Sequence, residues 1–308
     1  MIITCSASES YLGLLRSLLN SISINYPQCK VVARLINCSD KDNNLQTIHS
    51  DTEVIFDQTD ASTVRNKLQK NGCVMQDQFF GVYADHKEGL KGAKWLYSDF
   101  IGYCTNNRYP MIQDLLVKGE EQILQLDVDV VVRRDLTLLQ SLISKHDICL
   151  HAEIRKDREL SPFGITVTPD IVPILTRSEY LQKETNENQH WSNCVEWHTG
   201  VMGFNNTETT RKFVKRYIDE LDKPENRYIF GAEEEEVYFL YLNEFSDMKL
   251  YSLPVKFKDE GQGDDAKTGA EQYRQSSYIW VGAGSSKYCC DEFIKEVQKY
   301  GSVNNMHV

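Results

Sequence analysis

The chain has 308 residues, 41% of them hydrophobic and 26% charged, with apolar residues spread along its whole length; such a composition builds a sizeable core and excludes a disordered chain. Its net charge of −11 repels a phosphate backbone and argues against general nucleic-acid binding, which depends on counterion release by lysine and arginine. An acidic protein that binds an anionic cosubstrate needs a local cationic patch or a bound cation.

No stretch reaches the run of about 20 apolar residues that a membrane helix requires, and the first strand begins at Ile2 without a leader-like segment. The expectation is a soluble, cytoplasmic protein with no integral membrane segment. Nine cysteines without a C-x-x-C pair indicate reduced thiols, with neither a disulfide framework nor a zinc ribbon. The adjacent Cys289 and Cys290 fit packing or plain surface thiols better than a strained vicinal disulfide.

In chain order, Ile2 to Cys5 reads as a short strand, followed by small residues Ser6, Ala7 and Ser8. Leu12, Leu15, Leu18, Leu19 and Ile22 then recur at helical spacing up to Pro27. Val31 to Ile36 and Glu53 to Phe56 read as further strands, and strand, helix, strand at this spacing indicates a parallel sheet with a right-handed crossover. Gly92 to Leu116 has a helical pattern interrupted at Tyr109-Pro110. It leads into the strand Gln122 to Leu126. A short helix after Asp135 and a strand from Asp147 to His151 follow. Residues 154–193 are polar and weakly periodic, as expected of an insertion or loop region. Trp197 to Phe204 returns to strand character, Glu208 to Leu221 is an amphipathic helix, and Glu234 to Asn243 is a second helix. The expected architecture is α/β, with a mixed, mostly parallel central sheet flanked by helices in one domain over residues 1–308. Residues 1–135 would form its N-terminal half and 136–308 its C-terminal half.

The sharpest chemical signal is ILQLDVDVVVRRDL, residues 123–136, where an apolar strand runs into Asp127-Val-Asp129. Continued alternation would put both carboxylates on one side and Val128 toward the core. Hard oxygen ligands of this kind suit Mn²⁺ or Mg²⁺, and a cation there could neutralise a diphosphate. Ligands in open α/β sheets bind beyond the carboxyl ends of the strands, which is where these aspartates stand.

This segment resembles the metal-binding motif of glycosyltransferase family eight and related enzymes of the GT-A, Rossmann-like fold, with Asp135-Leu136 matching the motif's tail. TCSAS at 4–8 resembles the family's first nucleotide-contacting loop. HTGVMGFN at 198–205 resembles its strand near the donor sugar, with His198-Thr199 in place of Asn-Ser. GAEEEEVYFLYLN at 231–243 resembles the segment that places an acidic or amide residue near the reacting carbon. The resemblance implies Asp127 and Asp129 as metal ligands. It also implies donor contacts from Ser6, Ala7, Lys94, Asp99, Val128, Gly200, Gly284 and Lys287, and a catalytic acid among Glu233, Glu234 and Glu235, with Glu234 foremost. YIWVGAGSSK at 278–287 keeps Gly284 and Lys287 but has Val281 where the family's third ligand, a histidine, would stand. The implied reaction is retaining transfer of a hexose or pentose from a nucleotide-sugar, with a UDP-sugar favoured, to a glycan, protein or lipid-linked acceptor.

Each of these residues also has a plainer explanation. Four glutamates at a helix start are favoured by the macrodipole, Lys94 and Asp99 fit a solvated helix face, residues 282–287 fit an ordinary turn, and His151 and His198 fit hydrogen-bonded structural roles. Asp127 to Val131 also matches the D-x-D-x-V string of haloacid-dehalogenase-type phosphatases. Such motifs normally open a catalytic domain, whereas here 126 residues precede it. A non-catalytic nucleotide-sugar-binding module is the remaining alternative.

Overall fold

The computed structural model describes residues 1–38, 44–59, 99–154, 164–175, 195–223, 232–258, 277–282 and 291–301. Strands β1 (Ile2–Ser8), β2 (Lys30–Ile36), β3 (Thr52–Asp57) and β4 (Gln122–Leu126) lie side by side in the order β3-β2-β1-β4, all parallel. The sheet continues through β8 (Val195–Asn205), β6 (Ile148–Ile154), β9 (Leu250–Ser252) and β7 (Ile165–Val167), with β8 antiparallel to both β4 and β6. The remaining strands, β5 (Val130–Val132) and β10 (Ile279–Val281), form a separate antiparallel pair.

The first strand corrects a boundary. Ser6, Ala7 and Ser8, expected as a loop, remain in β1, because its pairing with β2 runs unbroken from Ile2↔Lys30 to Ser8↔Ile36. Residues 154–193, expected as an insertion, contribute β7 to the sheet edge.

Helices cover both faces. Helix α1 (Leu12–Asn25) buries Leu15, Leu18, Leu19 and Ile22 completely; with α2 (Leu45–Ile48) and α5 (Thr137–Ile143) it encloses the cluster that holds Ile3, Cys5, Ala7, Leu124, Leu126 and Val128. The opposite cluster takes Ile2, Val32 and Ile123 from the strands. Helices α4 (Tyr109–Val117), α6 (Glu208–Leu221) and α7 (Ala232–Glu244) cover it with Tyr109, Phe213, Tyr217 and Tyr238. Alternation explains the division: Ile2 and Ile3, adjacent in sequence, enter opposite cores. Strands buried on both faces read as nearly continuous apolar runs, and Val31, Val32 and Ala33 are all buried.

The helical pattern expected over 92–116 is, within the described residues, two helices, α3 (Asp99–Asn106) and α4, with Pro110 in the first turn of α4, where its missing N–H leaves no bond unmade. Helix α6 begins at Thr207, whose hydroxyl accepts from the Thr210 amide at 3.1 Å. Helix α8 (Asp291–Tyr300) packs on α1 through Leu14, Phe293 and Val297, together with Trp280 of β10. No helix among the described residues is long and apolar enough to cross a membrane.

Candidate functional site

The parallel strands end on the side where Ser6, Asp57 and Asp127 stand, and helix α3 contributes Tyr103 there. Ser6 Oγ is enclosed and makes no hydrogen bond. Arg34 of β2 pairs with Asp57 at 2.6 Å, and the Tyr103 hydroxyl donates to the same carboxylate at 3.1 Å. Sequence reasoning did not single out this partly buried pair.

The two aspartates do not continue the strand. Strand β4 ends at Leu126, and Asp127-Val128-Asp129 leads through a turn into β5. The expected alternation is therefore not that of a strand, although Val128 is buried as anticipated, in the cluster under α1. Two backbone contacts fix the turn: the Asp127 amide donates to Gly200 O at 2.9 Å, and the Gly282 amide donates to Asp129 O at 2.7 Å. The second holds the end of β10 beside Asp129.

Strand β8 is shaped to meet this turn. Its pairing with β4 runs up to Leu126↔Val201, but its pairing with β6 jumps from Leu150↔Met202 to His151↔His198. Residues 199–201 are thus extra on the β6 side, a bulge of the kind that re-aims backbone next to functional sites. It brings Gly200 against Asp127, where an added Cβ would lie 3.1 Å from Asp127 Oδ2. A side chain at this position would crowd that oxygen.

Arg108, immediately before α4, was missed by sequence reasoning, and no motif marks it. Its side chain is 4% exposed. One guanidinium nitrogen pairs with Asp127 Oδ1, a second lies 3.3 Å from Glu233 Oε1, and Nε donates to Thr105 O at 2.7 Å. The guanidinium remains charged: burial, the largest influence, pulls its pKa down, but Tyr109, Glu233, Tyr217 and Glu234, in that order, together raise it above its ordinary value. Burial pushes the Tyr109 phenol up to about 12, so that neighbour is neutral in ordinary buffers.

The glutamate run divides by environment. Glu233, Glu235 and Glu236 are buried at 3%, 3% and 1% exposure, which is unlike a solvated cap. The backbone oxygen of Glu233 also accepts from the Tyr217 hydroxyl at 2.6 Å. Glu234 is the partly open member, with its side chain 36% exposed and Oε1 3.9 Å from His198 Nδ1. The His198 ring stacks 5.6 Å from that of His151, whose Nδ1 donates to Leu253 O at 2.8 Å.

Of the other expected donor contacts, Ala7 is buried in the strand and Asp99 is the first residue of α3. Lys94, Gly284 and Lys287 lie outside the described residues, as do Cys289 and Cys290. Val281 is buried at 6% and paired with Val130. Among the described residues no group of three or more histidine, cysteine or acidic side chains is gathered for a metal. The donor set still fits Mn²⁺ or Mg²⁺: two carboxylates on one turn, Asp127 Oδ2 toward a Cβ-less glycine, and coordination otherwise completed by water or phosphate oxygens.

No protein-family model matches the sequence, and no curated protein is significantly similar to it. Among solved structures, the chain is similar to the apo structure of the bifunctional glycosyltransferase WbbM, with TM-score 0.52 and 15% identity over 96% of this chain and 49% of that one. It is likewise similar to the glycosyltransferase GlyE of Streptococcus pneumoniae TIGR4, with TM-score 0.53 and 13% identity over 96% of this chain and 59% of that one. The chain thus spans roughly half of the length of these structures. The fold is the GT-A fold of such glycosyltransferases, as the sequence resemblance implied.

Proposed function

We propose that this chain is a metal-dependent glycosyltransferase of the family-eight type, which moves a hexose or pentose from a nucleoside-diphosphate sugar, a UDP-sugar favoured, to a hydroxyl of a glycan, protein or lipid-linked acceptor. The observation that carries this reading is the Asp127-Val128-Asp129 turn at the carboxyl end of β4, set against Gly200 in a GT-A fold. A cation there would supply countercharge to the departing diphosphate, where negative charge develops.

The chain's own residues have separable roles in this reading. Asp127 and Asp129 hold the cation, Ser6 offers its unpartnered hydroxyl to the donor, and the bulge at 199–201 leaves space beside Asp127. Glu234, the partly open glutamate, stands closest to the role of the carboxylate near the anomeric carbon. The anomeric configuration is retained, with the departing phosphate accepting the acceptor's proton. Lys287, on a segment rich in glycine and serine, supplies a positive charge to the diphosphate. A phosphatase reading is not favoured, because an attacking Asp127 would already have one oxygen engaged by a buried guanidinium.

The test is a thermal-shift and turnover screen of nucleotide-sugars with and without Mn²⁺. Asn at Asp127 or Asp129 is expected to abolish metal-dependent turnover while leaving the fold intact. Hydrolysis of a simple phosphomonoester, combined with no Mn²⁺-promoted binding of any nucleotide-sugar, would overturn the assignment.

A further inference from the structure

Arg108 is enclosed on all sides, and each part of its guanidinium is committed to the protein: Nη1 to Asp127 Oδ1, Nη2 to Glu233 Oε1 at 3.3 Å and Nε to Thr105 O at 2.7 Å. A side chain so placed does not present itself to a ligand. It acts on whatever Asp127 binds. One Asp127 oxygen is spent on the guanidinium, which leaves Oδ2, on the Gly200 side, for a cation. A cation at Oδ2 would sit within a few ångströms of a fixed positive charge, in a setting where water screens poorly.

We propose that Arg108 is a positioning residue that holds down the affinity of the Asp127-Asp129 turn for a free divalent cation, so that the cation is taken up together with a diphosphate. This deepens the glycosyltransferase reading and rests on it. Arg108 engages the carboxylates of Asp127 and Glu233 directly, so a fixed positive charge stands beside the oxygen that a cation would use. The turn alone is then a weak cation site. A diphosphate would add negative charge and oxygen ligands to the cation and so offset the effect of Arg108. Cation and diphosphate therefore bind cooperatively, and Arg108 is the cause.

The experiment measures Mn²⁺ binding to the full chain without donor, read from the electron paramagnetic resonance signal of the free ion. Arg108→Gln is expected to bind Mn²⁺ alone about tenfold more tightly than the wild type, a direction that a merely structural role would not produce. Arg108→Gln/Asp127→Asn is expected to lose that gain. A folded Arg108→Gln whose Mn²⁺ affinity is unchanged or weaker overturns the proposal. Removing one partner of a buried ion pair can prevent folding, so the wild type supplies a second measurement. Its Mn²⁺ affinity is expected to rise at least tenfold in the presence of a nucleoside diphosphate, and equal affinity with and without the nucleotide overturns the proposal. Failure of the underlying reading has a separate signature, in which no nucleoside diphosphate from a panel of bases binds at all in the presence of Mn²⁺.

Discussion

At the residue scale, the glutamates and one histidine give distinct expectations. Glu233 is locked to Arg108 and to Tyr217, whereas Glu234 is partly open and near His198. Glu234→Gln should lower turnover about a hundredfold with no change in melting temperature. Glu233→Gln should instead cost about 3 kcal/mol of stability, because it breaks a buried charge pair. Kinetics and melting curves on both variants check the division, and a catalytic loss in both without destabilisation would refute it. His49 reports on pH. Burial is the largest influence on its imidazole and lowers the pKa below the ordinary 6.5, with Asp51 opposing less strongly. The folded chain then binds this proton less readily than the unfolded chain. The neutral-His49 contribution is full above the unfolded pKa and is lost as pH falls below it. The melting temperature should therefore drop as pH falls through and below the ordinary imidazole value of 6.5, and His49→Gln should flatten that slope. An unchanged slope in the variant would remove His49 as a source.

At the element scale, β8 links core and site. Gly203 sits where an added Cβ would overlap the Ile143 side chain of α5, and Gly200 sits where one would crowd Asp127 Oδ2 at 3.1 Å. The two glycines, three residues apart on one strand, should fail in different ways. Gly203→Ala should destabilise by about 1–3 kcal/mol through overpacking, with partial recovery in Gly203→Ala/Ile143→Ala, as expected of residues in contact. Gly200→Ala should spare stability and weaken Mn²⁺-dependent donor binding. Denaturant melts and donor titrations on both variants separate the outcomes. The β5–β10 pair is a second link, since β5 follows Asp129 directly and β10 directly precedes the segment that contains Gly284 and Lys287. Trp280 anchors it against Phe293 of α8, with ring centroids 5.5 Å apart, and under the Arg133 guanidinium at 5.3 Å. Trp280→Ala should cost about 3 kcal/mol or more, measured by urea unfolding, and should loosen donor binding as well.

At the scale of the whole molecule, β1, β4 and β8 each have strand neighbours on both sides and helices over both faces. Their amides should exchange most slowly with deuterated solvent, and those of β3 and β7, at the two ends of the sheet order, most quickly among the strands. Faster exchange in β4 than in β3 would contradict this ranking. The site lies at the carboxyl ends of the inner strands, so its backbone rests on the most protected part of the sheet. That arrangement suits a turn that, in the proposed function, holds a cation with two carboxylates.

Local pattern was enough to read the α/β class, the period of α1 and α6, the parallel start of the sheet and the Asp-Val-Asp motif. Each of these is written in nearest-neighbour spacing: apolar residues three and four apart, alternation by two, or an apolar strand that runs into acids. Tertiary structure alone decided that the aspartates occupy a turn, that residues 199–201 bulge toward them, and that Arg108 joins Asp127 to Glu233. The arginine and its two partners are separated by 19 and 125 positions along the chain. No local periodicity records such a meeting, which arises only when α4, β4 and α7 pack around one end of the sheet.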